Sequence, residues 1–184
     1  MTYEDERLLM TPTDHEMGAR MERFRQLGIG DRPDVVFDDF AHRLAQITGA
    51  PYAMVNFIGE EQYFAGLHAP EPQAAAMSQD GVVAGPGRVM AKDHGYCPHV
   101  VKRRKALPLE DVCAYPRFAG NPVMDELGIR AYLGAPLIDH TGTVLGTVCV
   151  VDTEPHDWGR EGLQRIKAIA ADVVAEINRR DGVR

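Results

Sequence analysis

The segment from Gly95 to Asp152 constrains the fold more than any other part of the chain. It interleaves short apolar runs with Pro, Gly and Asn residues, a pattern typical of short strands and helices joined by tight turns. Within it, Arg130 to Asp139 and Thr143 to Asp152 predict two strands that pair as a hairpin. The second of these strands is apolar on both faces, as expected of a strand in the middle of a covered sheet.

Alternation along that central strand predicts which side chains share a face of the sheet. Val144, Val148 and Val150 are expected on one face. Leu145, Cys149 and Val151 are expected on the other.

Other elements follow from the same signals. Pro51 to Ile58 and Gln62 to Leu67 predict an earlier hairpin. Proline and asparagine at helix starts, with glycine after helix ends, mark the helices. The remaining expected elements are helices over Cys97 to Arg104 and from Asn121-Pro122 to Gly128, and a strand over Ala106 to Val112.

Longer amphipathic helices frame these strands. The capping-box spacing of Thr13 and Glu16 predicts a helix that ends at Gly28, and a second helix runs from Pro33 to Gly49. A third, with an apolar stripe, begins near Asp157. About six hairpin-linked strands between terminal helices indicate the α+β class, with a central antiparallel sheet, terminal helices on one face and short helices and loops on the other.

Composition narrows the possible partners. A chain of 184 residues fits one domain with its own core, and a formal charge of -7 leaves no basic surface for nucleic acid or anionic membranes. The N-terminus is acidic and carries no long apolar run, so we expect a soluble, cytoplasmic protein. Three cysteines are too few for a disulfide framework and fit a reducing compartment.

The order of short motifs after Gly95 resembles the GAF domain family, in particular the GAF modules of bacterial sensor kinases and cyclic-di-nucleotide enzymes. The resemblance spans about 33–180 and divides the chain into an N-terminal helix region, 1–30, and a GAF domain, 31–184. The motifs that carry it are Tyr96-Cys97, Asp111, Pro116-Arg117-Phe118, Asn121-Pro122, Gly128 to Tyr132, Gly134 to Leu137 and Gly146 to Asp152.

The resemblance implies a stand-alone sensory domain for signal transduction that binds an unidentified small molecule, relays its presence to a protein partner and has no catalytic residues. It also implies a homodimer through the helices at about 14–27 and 160–179. The sequence identifies neither ligand nor cofactor. Two alternatives stay open: a redox enzyme like the free methionine-R-sulfoxide reductases, and an interaction module with a filled cavity.

A ligand cavity is expected between the sheet and the segment from Cys97 to Leu127, because aromatic and polar residues surround short helices there. The aromatic candidates could equally be core residues. Arg117 and Arg130 are expected to pair with carboxylates or loop carbonyls. The candidate ligand-binding residues are Asn56, Phe64, Cys97, His99, Tyr115, Phe118 and Tyr132.

Cys97 is the candidate with the most chemical alternatives. It lies in His94-x-x-Cys97-x-His99, so it could bind a metal, or act as a nucleophile with Cys113 nearby. Because the family usually buries a cysteine at this position, we expect Cys97 to be structural, with no metal site. Cys149, on an apolar strand, is expected to be inert.

The sequence does not match the binding sites that related domains have for haem, bilins or cyclic nucleotides. His99 could hold haem, but nothing beside it marks such a site. A covalent bilin is disfavoured because Pro98 separates Cys97 from His99. Cyclic-nucleotide binding is disfavoured because Asp152-Thr153 stands where binding domains carry an Asn-Lys pair. The long Ala-, Gly- and Pro-rich loop from His68 to Lys92 is either a lid or disordered.

Overall fold

The computed structural model describes residues 12–70 and 87–183. Its helices are α1 (Met17–Leu27), α2 (Val35–Thr48), α3 (Cys97–Arg103), α4 (Pro122–Leu127) and α5 (Gly159–Arg180). Its strands are β1 (Tyr52–Ile58), β2 (Gln62–His68), β3 (Val89–Met90), β4 (Leu107–Leu109), β5 (Ala131–Ile138) and β6 (Val144–Asp152). A single 3₁₀ turn in the described residues, Val112–Ala114, follows β4.

The strands form one open antiparallel sheet of six strands in the order β3-β2-β1-β6-β5-β4. The two predicted hairpins, β1-β2 and β5-β6, meet where β1 pairs with β6 at the centre. The predicted α+β class, with terminal helices on one face and short helices on the other, is confirmed. No helix among the described residues is long and apolar enough to span a membrane.

Each face of the sheet has its own hydrophobic core. The side chains of Phe37, Leu44, Ile166 and Val173 pack from α2 and α5 onto one face. On the other face, α3, the 3₁₀ turn and α4 cover a second cluster that includes Tyr132. The sheet therefore separates two hydrophobic cores. The second cluster lies on the face where the sequence predicts a ligand cavity.

Helix starts differ from the sequence prediction in two places. Asp14, rather than Thr13, accepts a hydrogen bond from the backbone N–H of Glu16, and its carboxylate also pairs with Arg20. The expected capping box is therefore wrong, since no side chain caps α1. The second helix begins after Asp34, whose carboxylate accepts from the N–H groups of its first turn.

The predicted faces of β6 are wrong at its start. Leu145 packs with Val148 and Val150 in the first core, whereas Val144 packs with Cys149 in the second. The reason is a bulge: Leu137 pairs with Gly146, but the next residue of β5, Ile138, pairs with Val144. The extra residue shifts the alternation by one position.

Two further segments differ in extent from the prediction. The strand expected over Ala106 to Val112 is only Leu107–Leu109, because Asp111 caps the 3₁₀ turn by accepting from the N–H of Cys113. The prediction of a lid or disordered loop over 68–92 falls largely on residues 71–86, which lie outside the described residues.

Candidate functional site

A cavity of about 350 Å³ lies between the second face of the sheet and the short helices α3 and α4. Ligand pockets in proteins typically have volumes of about 300–1,000 Å³. Strands β1, β2, β5 and β6 provide its floor, and the segment before α3 together with α4 provides its walls. The described residues that line it are Tyr52, Met54, Gln62, Phe64, Leu67, Ala69, Met90, Gly95, Tyr96, Cys97, Val123, Glu126, Leu127, Ile129, Tyr132, Cys149, Val151 and Thr153.

The two walls are held together by Asn121 at the start of α4. Its side-chain oxygen accepts from the N–H of Gly95 at 2.9 Å, and its side-chain nitrogen donates to the Gly95 carbonyl at 2.7 Å. The same oxygen caps α4 by accepting from the N–H of Val123 at 3.2 Å. One asparagine therefore starts a helix and fixes that helix to the loop that leads into α3.

The cavity floor carries a cluster of polar side chains around the sulfur of Cys97. The hydroxyl of Thr147 donates to it from 3.1 Å, and the hydroxyl of Tyr132 lies 3.2 Å away. The thiol of Cys149 is 3.7 Å from it. Thr147 and Cys149 are two positions apart on β6, so their side chains lie on the same face of the sheet.

This cluster affects the acidity of both thiols. Burial opposes ionisation of Cys97, but its hydrogen bonds with Cys149, Thr147 and Tyr132 outweigh burial and lower the pKa of Cys97 below that of an ordinary thiol. The hydrogen bond with Cys97, and then burial, raise the pKa of Cys149. Cys97 is therefore the more acidic partner, and Cys149 keeps its proton.

A second polar pair connects the sheet to the cavity wall. Asn56 on β1 donates to the side-chain oxygen of Gln62 at 2.8 Å. The amide nitrogen of Gln62 then donates to the carbonyls of Ala91 and His94, at 2.9 and 2.6 Å. Gln62 lines the cavity and fixes the segment before α3 against the sheet.

Tyr96 contributes the aromatic wall nearest to these groups. Its ring lies 5.3 Å from that of Tyr132 and 5.8 Å from that of Phe118, measured between centroids. Its hydroxyl is buried, and it has no hydrogen-bond partner among the described residues. Burial, followed by the nearby Cys113, raises the pKa of Tyr96, so the phenol stays a neutral donor.

Three of the sequence candidates, Phe64, Cys97 and Tyr132, line the cavity. Asn56 does not belong to the lining in the described residues; it is fully buried on β1, and its side chain bonds to Gln62. Whether any of them binds a ligand stays a prediction.

The other three candidates also lie outside the lining of described residues. His99, on α3, packs edge-on against Phe118, with ring centroids 4.9 Å apart. Burial, then the charges of Arg117 and Arg103, lower the pKa of His99 to about 4. Tyr115 follows the 3₁₀ turn and points largely to solvent, with 39% of its surface exposed.

Several lining residues were missed in the sequence. In the sequence Tyr96 stands out only as part of a family motif, although an aromatic residue directly before a candidate cysteine is a usable signal. For Gln62 the sequence predicts a strand position and indicates no role in a site. Met54, Met90 and Val151 look like ordinary core residues in the sequence, and only the packing of α3 and α4 shows that they border a cavity.

Metal binding receives no support from the described part of the chain. No group of three or more His, Cys, Asp or Glu side chains converges there. Arg130 pairs with Asp111 at 3.0 Å, as its sequence interpretation expected. Cys113 is exposed, and the hydrogen bonds of the Cys97 sulfur go to other residues.

Comparison with known proteins identifies relatives of this arrangement. The GAF domain family model matches residues 32–177. A cyclic di-GMP phosphodiesterase of Pseudomonas aeruginosa is 39% identical over 147 residues, which make up 78% of this chain and 22% of that protein. The chain thus spans about a fifth of the length of this curated relative.

Solved structures share the fold at low sequence identity. The GAF domain of an Acinetobacter phosphoenolpyruvate-protein phosphotransferase has a TM-score of 0.60 and 13% identity, with 94% of this chain and 98% of that chain covered. The free methionine-R-sulfoxide reductase of Neisseria meningitidis has a TM-score of 0.56 and 14% identity, with 93% and 96% covered. Because the family model covers well over half of the residues, this chain belongs to the GAF domain family.

Proposed function

We propose that this GAF domain is a sensory module that binds a small, neutral, largely apolar molecule in the cavity on the second face of its sheet. Binding is read out through protein contacts, without catalysis. The curated relative is a cyclic di-GMP phosphodiesterase, which supports a role in signal transduction.

The observation that carries this proposal is the buried side chain of Tyr96: the residue lines the cavity, and its hydroxyl has no hydrogen-bond partner among the described residues. A buried polar group normally has a partner, because leaving it unpaired costs about 1–3 kcal/mol. A ligand that presents a carbonyl or ether oxygen in this cavity would satisfy the phenol. The apolar walls would contribute most of the remaining binding free energy.

The charge of the lining favours a neutral ligand. Among the described lining residues, none is Lys or Arg, and Glu126 is the one with a formal charge. Burying a carboxylate or phosphate without a cationic partner is costly. This supports the sequence argument against cyclic nucleotides.

The sequence candidates take different roles in this proposal. Phe64, Cys97 and Tyr132 contact the ligand. Asn56 acts through Gln62, whose side chain it orients. Phe118 and His99 shape the wall: Phe118 supports Tyr96, and His99 supports Phe118. Tyr115, which is exposed, takes no part in the proposed site.

Saturation-transfer NMR with two matched probes tests the proposal. Acetophenone is neutral and has a carbonyl that can accept from Tyr96, whereas benzoate has the same shape and a negative charge. We expect signal transfer to acetophenone and much less to benzoate. Equal transfer to both probes, or none to acetophenone, would contradict the proposal.

Cavity filling supplies the matched control. Met54→Trp places a larger side chain in the cavity and should abolish transfer to acetophenone. Val35→Trp adds the same side chain at a position that is 76% exposed on α2, and should leave transfer unchanged. If both variants bind acetophenone like the parent protein, the probe binds elsewhere.

The readout through protein contacts includes the homodimer expected from the family. The stripes of α1 and α5 that were expected to drive it already pack on the first core. A separate groove between α5 and the β4 edge is the surface we assign to these contacts. Its apolar lining includes Leu163, Val174 and Pro108, and it is bordered by the cations Arg103, Arg104, Lys105 and Lys167. Sedimentation equilibrium at micromolar concentration, with Val174→Glu as the disrupting variant, tests this assignment.

A redox enzyme is the second candidate, because a cavity-lining cysteine, Cys97, has a lowered pKa. The reductase of Neisseria meningitidis shares the fold. The sequence alternative paired Cys97 with Cys113, yet Cys113 is exposed and Cys97 is buried. Turnover of free methionine-R-sulfoxide, lost in Cys97→Ser, would favour this candidate.

A further inference from the structure

The two thiols at the cavity floor have surroundings that ligand binding does not explain. The sulfur atoms of Cys97 and Cys149 are 3.7 Å apart, and both residues line the cavity. They come from different elements, since Cys97 begins α3 and Cys149 lies in the central strand β6. A molecule small enough to enter the cavity can therefore reach both.

Two hydroxyl groups lie close enough to the Cys97 sulfur to stabilise its thiolate form. A neutral thiol is one weak donor and a weak acceptor. Here the Thr147 hydroxyl donates at 3.1 Å, and the Tyr132 hydroxyl at 3.2 Å can donate as well, while the Cys97 thiol is itself placed to donate its proton to the sulfur of Cys149 at 3.7 Å. Two hydroxyl donors on one sulfur stabilise its negative charge once that proton has left, as they do for other buried anions.

We propose that Cys97 and Cys149 form a redox-sensitive dithiol, which a small peroxide entering the cavity converts to a disulfide. The thiolate, which is the reactive form of cysteine, is provided at Cys97. The neighbouring protonated thiol of Cys149 is the resolving partner. The domain would then respond to an oxidant as well as to a ligand.

The chemistry balances with hydrogen peroxide as the oxidant. The Cys97 thiolate attacks one peroxide oxygen, an S–O bond forms, the O–O bond breaks, and the departing hydroxide takes up a proton to give water. Cys97 is now a sulfenic acid. The Cys149 sulfur then attacks the Cys97 sulfur, an S–S bond forms, and the S–O bond breaks. The released hydroxide takes the Cys149 proton as a second water, so two thiols are oxidised and one peroxide is reduced.

The second step needs a short movement. The sulfurs must approach from 3.7 Å to the disulfide length of about 2.05 Å. The new bond would fasten the first residue of α3 to the central strand. The disulfide would also remove the negative charge that the hydroxyls of Thr147 and Tyr132 stabilise at Cys97. The polar contacts at the cavity floor would therefore change.

This inference does not depend on the proposed ligand, since oxidation requires only the two sulfurs and a peroxide. The test treats the reduced full chain with hydrogen peroxide, without added ligand, and follows disulfide formation by alkylation and peptide mass spectrometry. We expect a Cys97–Cys149 disulfide in the parent protein and in Cys113→Ser. In Cys149→Ala, we expect Cys97 to stop at a sulfenic acid that dimedone traps.

A second variant keeps the test valid if Cys149→Ala does not fold. Tyr132→Phe removes one hydroxyl from the Cys97 sulfur and leaves both cysteines in place, and it should slow disulfide formation at neutral pH by about tenfold. Oxidation of Cys113 before Cys97, or full alkylation of Cys97 and Cys149 after peroxide, would overturn the proposal. So would an unchanged rate in folded Tyr132→Phe.

Discussion

The hydroxyl oxygen of Thr147 lies 3.1 Å from the sulfur of Cys97 and donates a hydrogen bond to it. The two residues are 50 positions apart in the sequence. Their contact joins the central strand β6 to the start of α3, and it connects the interior of the sheet to the proposed binding site. The acidity of Cys97 is therefore set by the fold rather than by its neighbours in sequence.

Thr147→Val should make Cys97 less acidic while keeping the shape of the side chain. A hydrogen bond to a charged group contributes about 1.5–3 kcal/mol, so alkylation of Cys97 by iodoacetamide at neutral pH should be at least about tenfold slower. In the parent protein, the rate should reach half its maximum below the ordinary thiol pKa of about 8.5. Thr143→Val, at a hydroxyl that bonds Thr141 instead, is the control; equal rates in both variants would be inconsistent with a thiolate role.

Gly134→Ala should disturb the same sulfur from the other side. A Cβ atom at this position would lie 2.1 Å from the Tyr132 hydroxyl, which is fully buried and cannot move freely. We expect a loss of about 1–3 kcal/mol in unfolding free energy and slower alkylation of Cys97. Gly18→Ala, where a Cβ meets nothing within 4 Å, should have neither effect.

Arg20 should be the most sensitive charged residue of α1. Its side chain is fully buried, pairs with Asp14 at 2.7 Å, and donates to the carbonyls of Val144 and Ile58. Arg20→Ala leaves those acceptors without partners and should lower the unfolding free energy by about 3–5 kcal/mol in urea titrations.

The control for Arg20 is an exposed ion pair on the same helix. Arg25 pairs with Glu22, and both side chains are more than half exposed. Arg25→Ala should change stability by less than about 1 kcal/mol. Similar losses in the two variants would mean that Arg20 does not hold α1 to the sheet.

His94 should make the cavity wall sensitive to pH. The hydrogen bond to the Asp93 carboxylate raises the pKa of His94 above 6.5; burial partly opposes this, and Glu126 adds a smaller increase. Because folding raises this pKa, the stabilisation is fully present below about pH 6.5 and is lost as pH rises through the folded-state value.

Glu126→Gln should lower the pKa of His94, measured by NMR titration of its imidazole protons. It should also reduce the extra stability on the acidic side of this range. His140 is the internal reference, because it pairs with Asp181 rather than Glu126. A shift of equal size at both histidines would point to a general charge effect instead of a local pair.

The sequence predicted the positions of the helices and strands better than it predicted which side chains face each core. Turn residues and family motifs located α3 and both hairpins, because these signals are local. The bulge that reverses Val144 and Leu145 depends on how β6 pairs with β5, which no local pattern encodes. The contact of Asp14 with Arg20 near the start of α1 could not be predicted for a similar reason, since Arg20 is buried only in the folded chain.

The candidate site was predicted in part for the same physical reason. Cys97 and Tyr132 carry recognisable motifs and line the cavity. Their partners Thr147 and Cys149 lie on a strand that reads as plain core, and their chemistry arises from pairing across the sheet. Tyr115 looked equivalent to Phe118 in sequence, but the 3₁₀ turn directs it toward solvent.

The most direct test of ligand binding in the cavity uses the methionine methyl groups as reporters. Met54 and Met90 line the cavity, whereas Met21 packs on the opposite core. In a titration of ¹³C-methyl-methionine-labelled protein with acetophenone, the methyl resonances of Met54 and Met90 should shift and saturate together while that of Met21 stays in place. Stationary Met54 and Met90 resonances, or equal shifts at Met21, would contradict a binding site between the sheet and α3.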